Sequence, residues 1–140
     1  MVTYNAQGVT MPDIEEQALT QWIHRVAAGY DRVVGDINYI FVDDDTILDI
    51  NRRFIGHDYY TDHIGFDYSS GRTLSGDIYI SLDTVRTNAD LYRVAPQEEL
   101  HRIVIHGLLH LCGIEDKTPE QRQQMQEAED KALCVLNAKP

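Results

Sequence analysis

The chain has 140 residues, 43% hydrophobic and 25% charged, which suits a single globular domain, 1–140, with a real core. A formal net charge of −11 excludes binding of polyanions by long-range attraction, so any RNA or DNA contact needs a local basic patch or a bound metal. No apolar run is long enough to cross a bilayer, and Met1-Val2-Thr3-Tyr4-Asn5 has neither the basic cap nor the apolar region of a secretion signal, so a cytoplasmic chain is expected.

Val2 to Asn5 alternates apolar and polar and reads as a short strand. Asp13 and Glu16 have capping-box spacing, which predicts a helix ending at Gly29. Ile14, Ala18, Leu19, Trp22, Ile23 and Val26 form its apolar stripe, with His24 on the exposed side. Ile37 to Val42 reads as a second strand. The acidic triplet Asp43-Asp44-Asp45 then opens a helix from Thr46 to about Phe54, where carboxylates favour the N-terminal dipole.

Residues 56–62 form a polar connection. Ile64 to Tyr68 and Gly76 to Ser81 read as antiparallel strands around a turn at Gly71. Asp83 to about Leu91 is a short helix, with Val85, Ala89 and Tyr92 inward. Pro96, followed by Glu98 and Glu99, starts a helix that Leu100, Ile103, Val104, Ile105, Leu108, Leu109 and Leu111 make apolar nearly all round. Such a helix is central and buried. Thr118, Pro119 and Gln121 open a last helix with Met125, Ala128, Ala132, Leu133 and Leu136 inward. Cys112 and Cys134 fall in apolar patterns and are expected to be buried free thiols. The order β-α-β-α-β-β-α-α-α predicts an α+β fold: a small mixed sheet packed by helices.

His106 and His110 lie four residues apart on the central helix, one turn above the other on one face. That spacing lets two imidazoles bind one metal ion. Gly113 can end the helix and turn the chain, so that Asp116 returns toward the histidines. Positions 0, +4, +7 and +10 match the zincin frame His-Glu-x2-His-x2-Gly-x2-His, with aspartate in the third ligand slot. The expected site is therefore a divalent metal, zinc first, on His106, His110 and Asp116, with Glu115 the alternative third ligand. An oxygen ligand also suits Mn, Fe or Co. Gly107 occupies the place of the peptidase base, which weighs against peptide hydrolysis.

His106-Gly107-Leu108-Leu109-His110-Leu111-Cys112-Gly113-Ile114-Glu115-Asp116 resembles the signature of the YbeY endoribonucleases. Asn51-Arg52-Arg53-Phe54 with Thr61-Asp62-His63-Ile64-Gly65-Phe66, and Ser75-Gly76-Asp77-Ile78-Tyr79-Ile80-Ser81, are similar to two further blocks of that family, in the same order. The resemblance implies a single-strand-specific, zinc-dependent endoribonuclease. It also implies action in 3′-end maturation of small-subunit ribosomal RNA and in ribosome quality control, with that subunit as partner. Two departures stand out: the family's third histidine is Asp116, and a family arginine aligns with Ile55. A catalytic cation would then come from Arg52, Arg53 or another chain. Asp77 and Asp62 are candidates to orient a ligand histidine. The alternatives are a metalloprotease, or a non-catalytic ribosome-assembly module whose structural metal takes a fourth ligand such as Cys112.

Overall fold

Val2–Ala6 (β1), Val33–Val42 (β2), His63–Asp67 (β3) and Thr73–Ser81 (β4) build one sheet in the order β1-β2-β4-β3. The computed structural model describes residues 1–56 and 62–137, so 57–61 of the polar connection lie outside the described residues. β1, β2 and β4 run parallel, and β3 pairs antiparallel with β4 through the turn at Gly71. The mixed α+β sheet expected from the sequence is thus present.

Five α-helices are described: Glu16–Gly29 (α1), Asp44–Ile50 (α2), Leu82–Tyr92 (α3), Pro96–Leu111 (α4) and Pro119–Asn137 (α5). Ile37, Tyr39 and Phe41 of β2 pack into the main core with α1 and α4, while Ile40 and Val42 join Ile47 and Ile64 in a second cluster on the other face. β2 is covered on both faces, which explains its continuous apolar run. Buried polar tips are satisfied: Trp22 Nε1 donates to Ala132 O (2.8 Å) and the Tyr39 hydroxyl to Val104 O (3.0 Å).

α4 lies close on the sheet because two glycines make room. A Cβ on Gly107 would stand 2.9 Å from Ile78 Cγ2, and one on Gly76 would stand 2.6 Å from Phe66 O and 3.2 Å from Leu111 Cδ2. The mid-helix glycine, which costs about 1 kcal/mol in helix propensity, is what lets α4 approach β4.

Several sequence expectations are corrected in detail. α1 starts at Glu16 without a side-chain cap, because the preceding segment carries Val9, Met11 and Ile14 against the core instead of entering a helix at Asp13. Ala18 is exposed beside the stripe Leu19, Trp22, Ile23, Val26 and Ala27. β2 and β4 begin earlier than expected, pairing Val33 with Thr73 ahead of a bulge. The helix expected to reach Phe54 is α-helical only to Ile50 and widens into a π-helical turn, Asn51–Ile55, closed by Gly56 at φ 79°. Tyr92 is 61% exposed, in the last turn of α3. Cys134 is exposed; Cys112 is buried, and both thiols are free.

Other local readings match the structure. Asp43 Oδ1 accepts from Thr46 N (2.8 Å) at the start of α2. Gln121 N donates to Thr118 Oγ1 (3.1 Å) while Thr118 N donates to Gln121 Oε1 (3.2 Å), a reciprocal cap on α5. His24 is exposed.

Candidate metal centre

The C-terminal end of α4 builds the centre. Gly113 N donates to His110 O (3.0 Å) and Ile114 N to Leu109 O (3.1 Å), with Gly113 at φ 97°. This paired closure reverses the chain at a left-handed glycine, and Ile114 packs on the core. The reversal carries Asp116 back over the helix end. Its Oδ2 stands 3.2 Å from both His106 Nε2 and His110 Nε2, which are 3.0 Å apart. A tetrahedral ion with bonds of about 2.0–2.1 Å spaces its donors by roughly 3.3 Å. Two imidazole nitrogens and a carboxylate oxygen at this spacing fit a divalent transition metal. Glu115 is exposed, and Asp116 is the acid that turns in.

His106 is held from behind by a residue that the sequence reading did not single out. Its Nδ1–H donates to Glu129 Oε2 on α5, and Glu129 Oε1 accepts from Arg102 NH1 (2.8 Å). Arg102 NH2 also donates to Asp130 Oδ1 (2.7 Å). A carboxylate on Nδ1 fixes the tautomer that presents the Nε2 lone pair to an ion. Burial pulls the His106 ring down, but the hydrogen bond and charge of Glu129 outweigh it and raise its pKa. His110 is lowered, by burial first and then by the neighbouring His106.

His63 opens β3 opposite Ile80, on the face toward α4. Its ligand-capable nitrogen lies with those of His106 and His110 in a group whose members are all within 4.8 Å of one another. Its Nδ1 pairs with Asp62 Oδ1 at 2.8 Å. Burial would raise the Asp62 carboxyl, but the hydrogen bond and charge of His63, and then the charge of His106, hold it below its ordinary value. The Asp62-His63 dipeptide stands in one of the family-like blocks, but alternation with the apolar Ile64 and Phe66 gave His63 the opposite side of the strand, and only the pairing of β3 beneath α4 makes that side an inner one. For Glu129 the signal was a carboxylate four residues beyond Met125, on the apolar side of α5.

The other expected site residues lie elsewhere. Asp77 alternates away from the buried Gly76, Ile78 and Ile80, and its Oδ1 accepts from Asn38 Nδ2 (2.8 Å) on the opposite face of the sheet. Arg52 and Arg53 are exposed on the π-helical turn, with Arg53 Nε 3.1 Å from Asp49 Oδ1. Cys112 sits in the core, where burial pushes its thiol up to about 11. A cleft of about 740 Å³ opens beside His106 and Asp116, lined also by Glu99, Glu129, Arg102 and Arg122.

The sequence profile described as Endoribonuclease YbeY matches residues 4–137. The chain belongs to the YbeY endoribonuclease family. Endoribonuclease YbeY of Bacteroides thetaiotaomicron is 56% identical over 134 residues, covering 96% of this chain and 98% of that one. Endoribonuclease YbeY of Porphyromonas gingivalis strain W83 is 47% identical, covering 96% and 89%. The solution structure of TM1509 from Thermotoga maritima superposes with a TM-score of 0.66 at 25% identity, covering 97% of this chain and 89% of that one. The resemblance carried by three sequence blocks is borne out, and with it the reading of this YbeY-family chain as a metal-dependent endoribonuclease. Among the described residues no helix is long and apolar enough to cross a membrane.

Proposed function

We propose that His106, His110 and Asp116 hold one zinc ion, and that this centre cleaves single-stranded RNA in 3′-end maturation of small-subunit ribosomal RNA. The observation that carries the reading is the meeting of Asp116 Oδ2 with both Nε2 atoms at 3.2 Å. A divalent ion there supplies Lewis-acid activation of the phosphoryl group and of the attacking water. The protein's own part is to keep the donors in place. Glu129 retains the Nδ1 proton of His106, and Arg102 in turn holds Glu129. The Gly113 reversal fixes Asp116.

The cleft beside the ligands is rich in carboxylates, so RNA needs cations to approach. Arg122 lines it, with its guanidinium on Lys117 O (3.1 Å), and is assigned phosphate contact. Arg52 and Arg53 are assigned contact with more distant phosphates. The small ribosomal subunit as partner and the cytoplasm as location rest on the family. Gly107 in the position of the peptidase base, buried against Ile78, supports RNA over peptide as substrate.

The test is cleavage of a single-stranded ribosomal RNA 3′ segment by purified protein, with and without chelator, beside His110→Ala. Loss of cleavage in both arms is expected. Full activity with chelator, or in the variant, overturns the proposal.

A further inference from the structure

We propose that His63 is a ligand of the same ion, so that this centre is built from three imidazoles and the Asp116 carboxylate. The inference rests on the metal-centre reading above and extends it to a residue from a different element.

Placement is the first argument. β3 pairs His63 with Ile80 and Gly65 with Ile78, and Ile78 and Ile80 are fully buried. His63 and Gly65 therefore share the face that α4 covers. Gly65 and Gly107 contribute no side chains between β3 and α4. The His63 ring comes to 4.6 Å from the His106 ring and 5.6 Å from the His110 ring, centroid to centroid.

The second argument is how the rings are held. His63 gives Nδ1 to Asp62 as His106 gives Nδ1 to Glu129. Two histidines from different elements thus carry the same carboxylate support, the arrangement that orients ligating histidines with Nε2 toward an ion. His63 and His106 side chains are each 17% exposed and His110 is 31% exposed. Three imidazoles gathered at that burial have a common purpose in a shared cation. An aromatic packing role needs neither the matching carboxylates nor the convergence of three nitrogens within 4.8 Å.

Space is the third. A cavity of about 70 Å³ is lined by His63, Gly65, Asp67, Gly107, His110 and Leu111. The cavity lies between His63 and His110, so no other side chain fills the space between these two rings on that side. The frame that matches the α4 signature places histidine at +10. Here that slot is Asp116, and the third imidazole comes from the strand. Three nitrogens and one oxygen favour zinc, cobalt or nickel over magnesium or manganese, and zinc accepts a fifth ligand where a water is needed.

The experiment is X-ray absorption at the zinc edge of stoichiometrically loaded full-length protein, which counts imidazoles from their ring scattering. Three in the wild type and two in His63→Val are expected. Competition with a chromophoric chelator should show zinc bound about tenfold or more weakly by His63→Val, with a smaller change for manganese. His63→Gln provides a second variant, and circular dichroism confirms that each is folded. Two imidazoles in the wild type, or unchanged zinc affinity in either folded variant, overturns the inference while leaving the His106, His110 and Asp116 centre standing. A wild type that takes up no stoichiometric zinc overturns both.

Discussion

Glu129 accepts the Nδ1 proton of His106 from the far side of the ring, although 23 residues separate them. The same carboxylate receives Arg102. Replacing it with alanine removes the acceptor that fixes the tautomer and takes one of two carboxylate hydrogen-bond partners from Arg102, leaving Asp130. Glu129→Ala should weaken metal binding about 10–100-fold. Glu129→Gln, which still accepts from Nδ1, should lose less. Chelator competition reads both, and equal affinity in wild type and Glu129→Ala would refute the role.

Gly76 and Gly107 separate two kinds of close approach. A methyl at Gly76 meets the main-chain oxygen of Phe66 at 2.6 Å, which cannot move without disturbing the β3–β4 pairing. A methyl at Gly107 meets the Ile78 side chain at 2.9 Å. Gly107→Ala gains about 1 kcal/mol of helix propensity against overpacking of about 1–3 kcal/mol. Chemical denaturation should show Gly76→Ala the more destabilised of the two, and Gly107→Ala near neutral to about 2 kcal/mol worse than wild type.

Cys112 and Cys134 should differ in reactivity. Burial pushes the Cys112 thiol up to about 11, and Cys134 is exposed on α5. A thiol-disulfide reagent at pH 8 should modify Cys134 rapidly in the native protein and Cys112 only on unfolding. Rapid native modification of both would contradict this placement.

His101 gives a pH dependence with a definite sign. Burial, with its ring edge-on to Trp22 at 6.1 Å, lowers its pKa. Its unfolded value is about 6.5. Above that pH both states are neutral and there is no effect. As pH falls below it the unfolded chain takes the proton more readily, so stability is lost down to the folded pKa. His101→Gln should therefore lose less melting temperature than wild type between pH 7 and pH 5. A parallel decline in the two proteins would disprove it.

The readable parts of the sequence were those with local rules. Pro96 and a run apolar nearly all round located α4, the Gly71 turn located the β3–β4 hairpin, and His106, His110 and Gly113 lay within one helix and its closure. Glu129 and His63 were harder, because they reach the centre through α5 docking and strand register, which no short window reports. Asp77 misled for a related reason. It sits in a glycine-flanked block beside the right strand, but alternation sends it to the opposite face with Asn38. The late start of α1 reflects Val9, Met11 and Ile14 seeking the core, a tertiary preference that outweighed the capping pattern at Asp13.

The contact between Glu129 and His106 also sets an order of events during synthesis. His106 emerges before its supporting acid, with the Gly113 reversal and the whole of α5 still to come. A nascent chain therefore lacks the finished pocket until α5 has folded back onto α4. Full affinity for an ion would then come late in maturation, and a chain cut short before residue 129 would lack the carboxylate that aims the His106 ring.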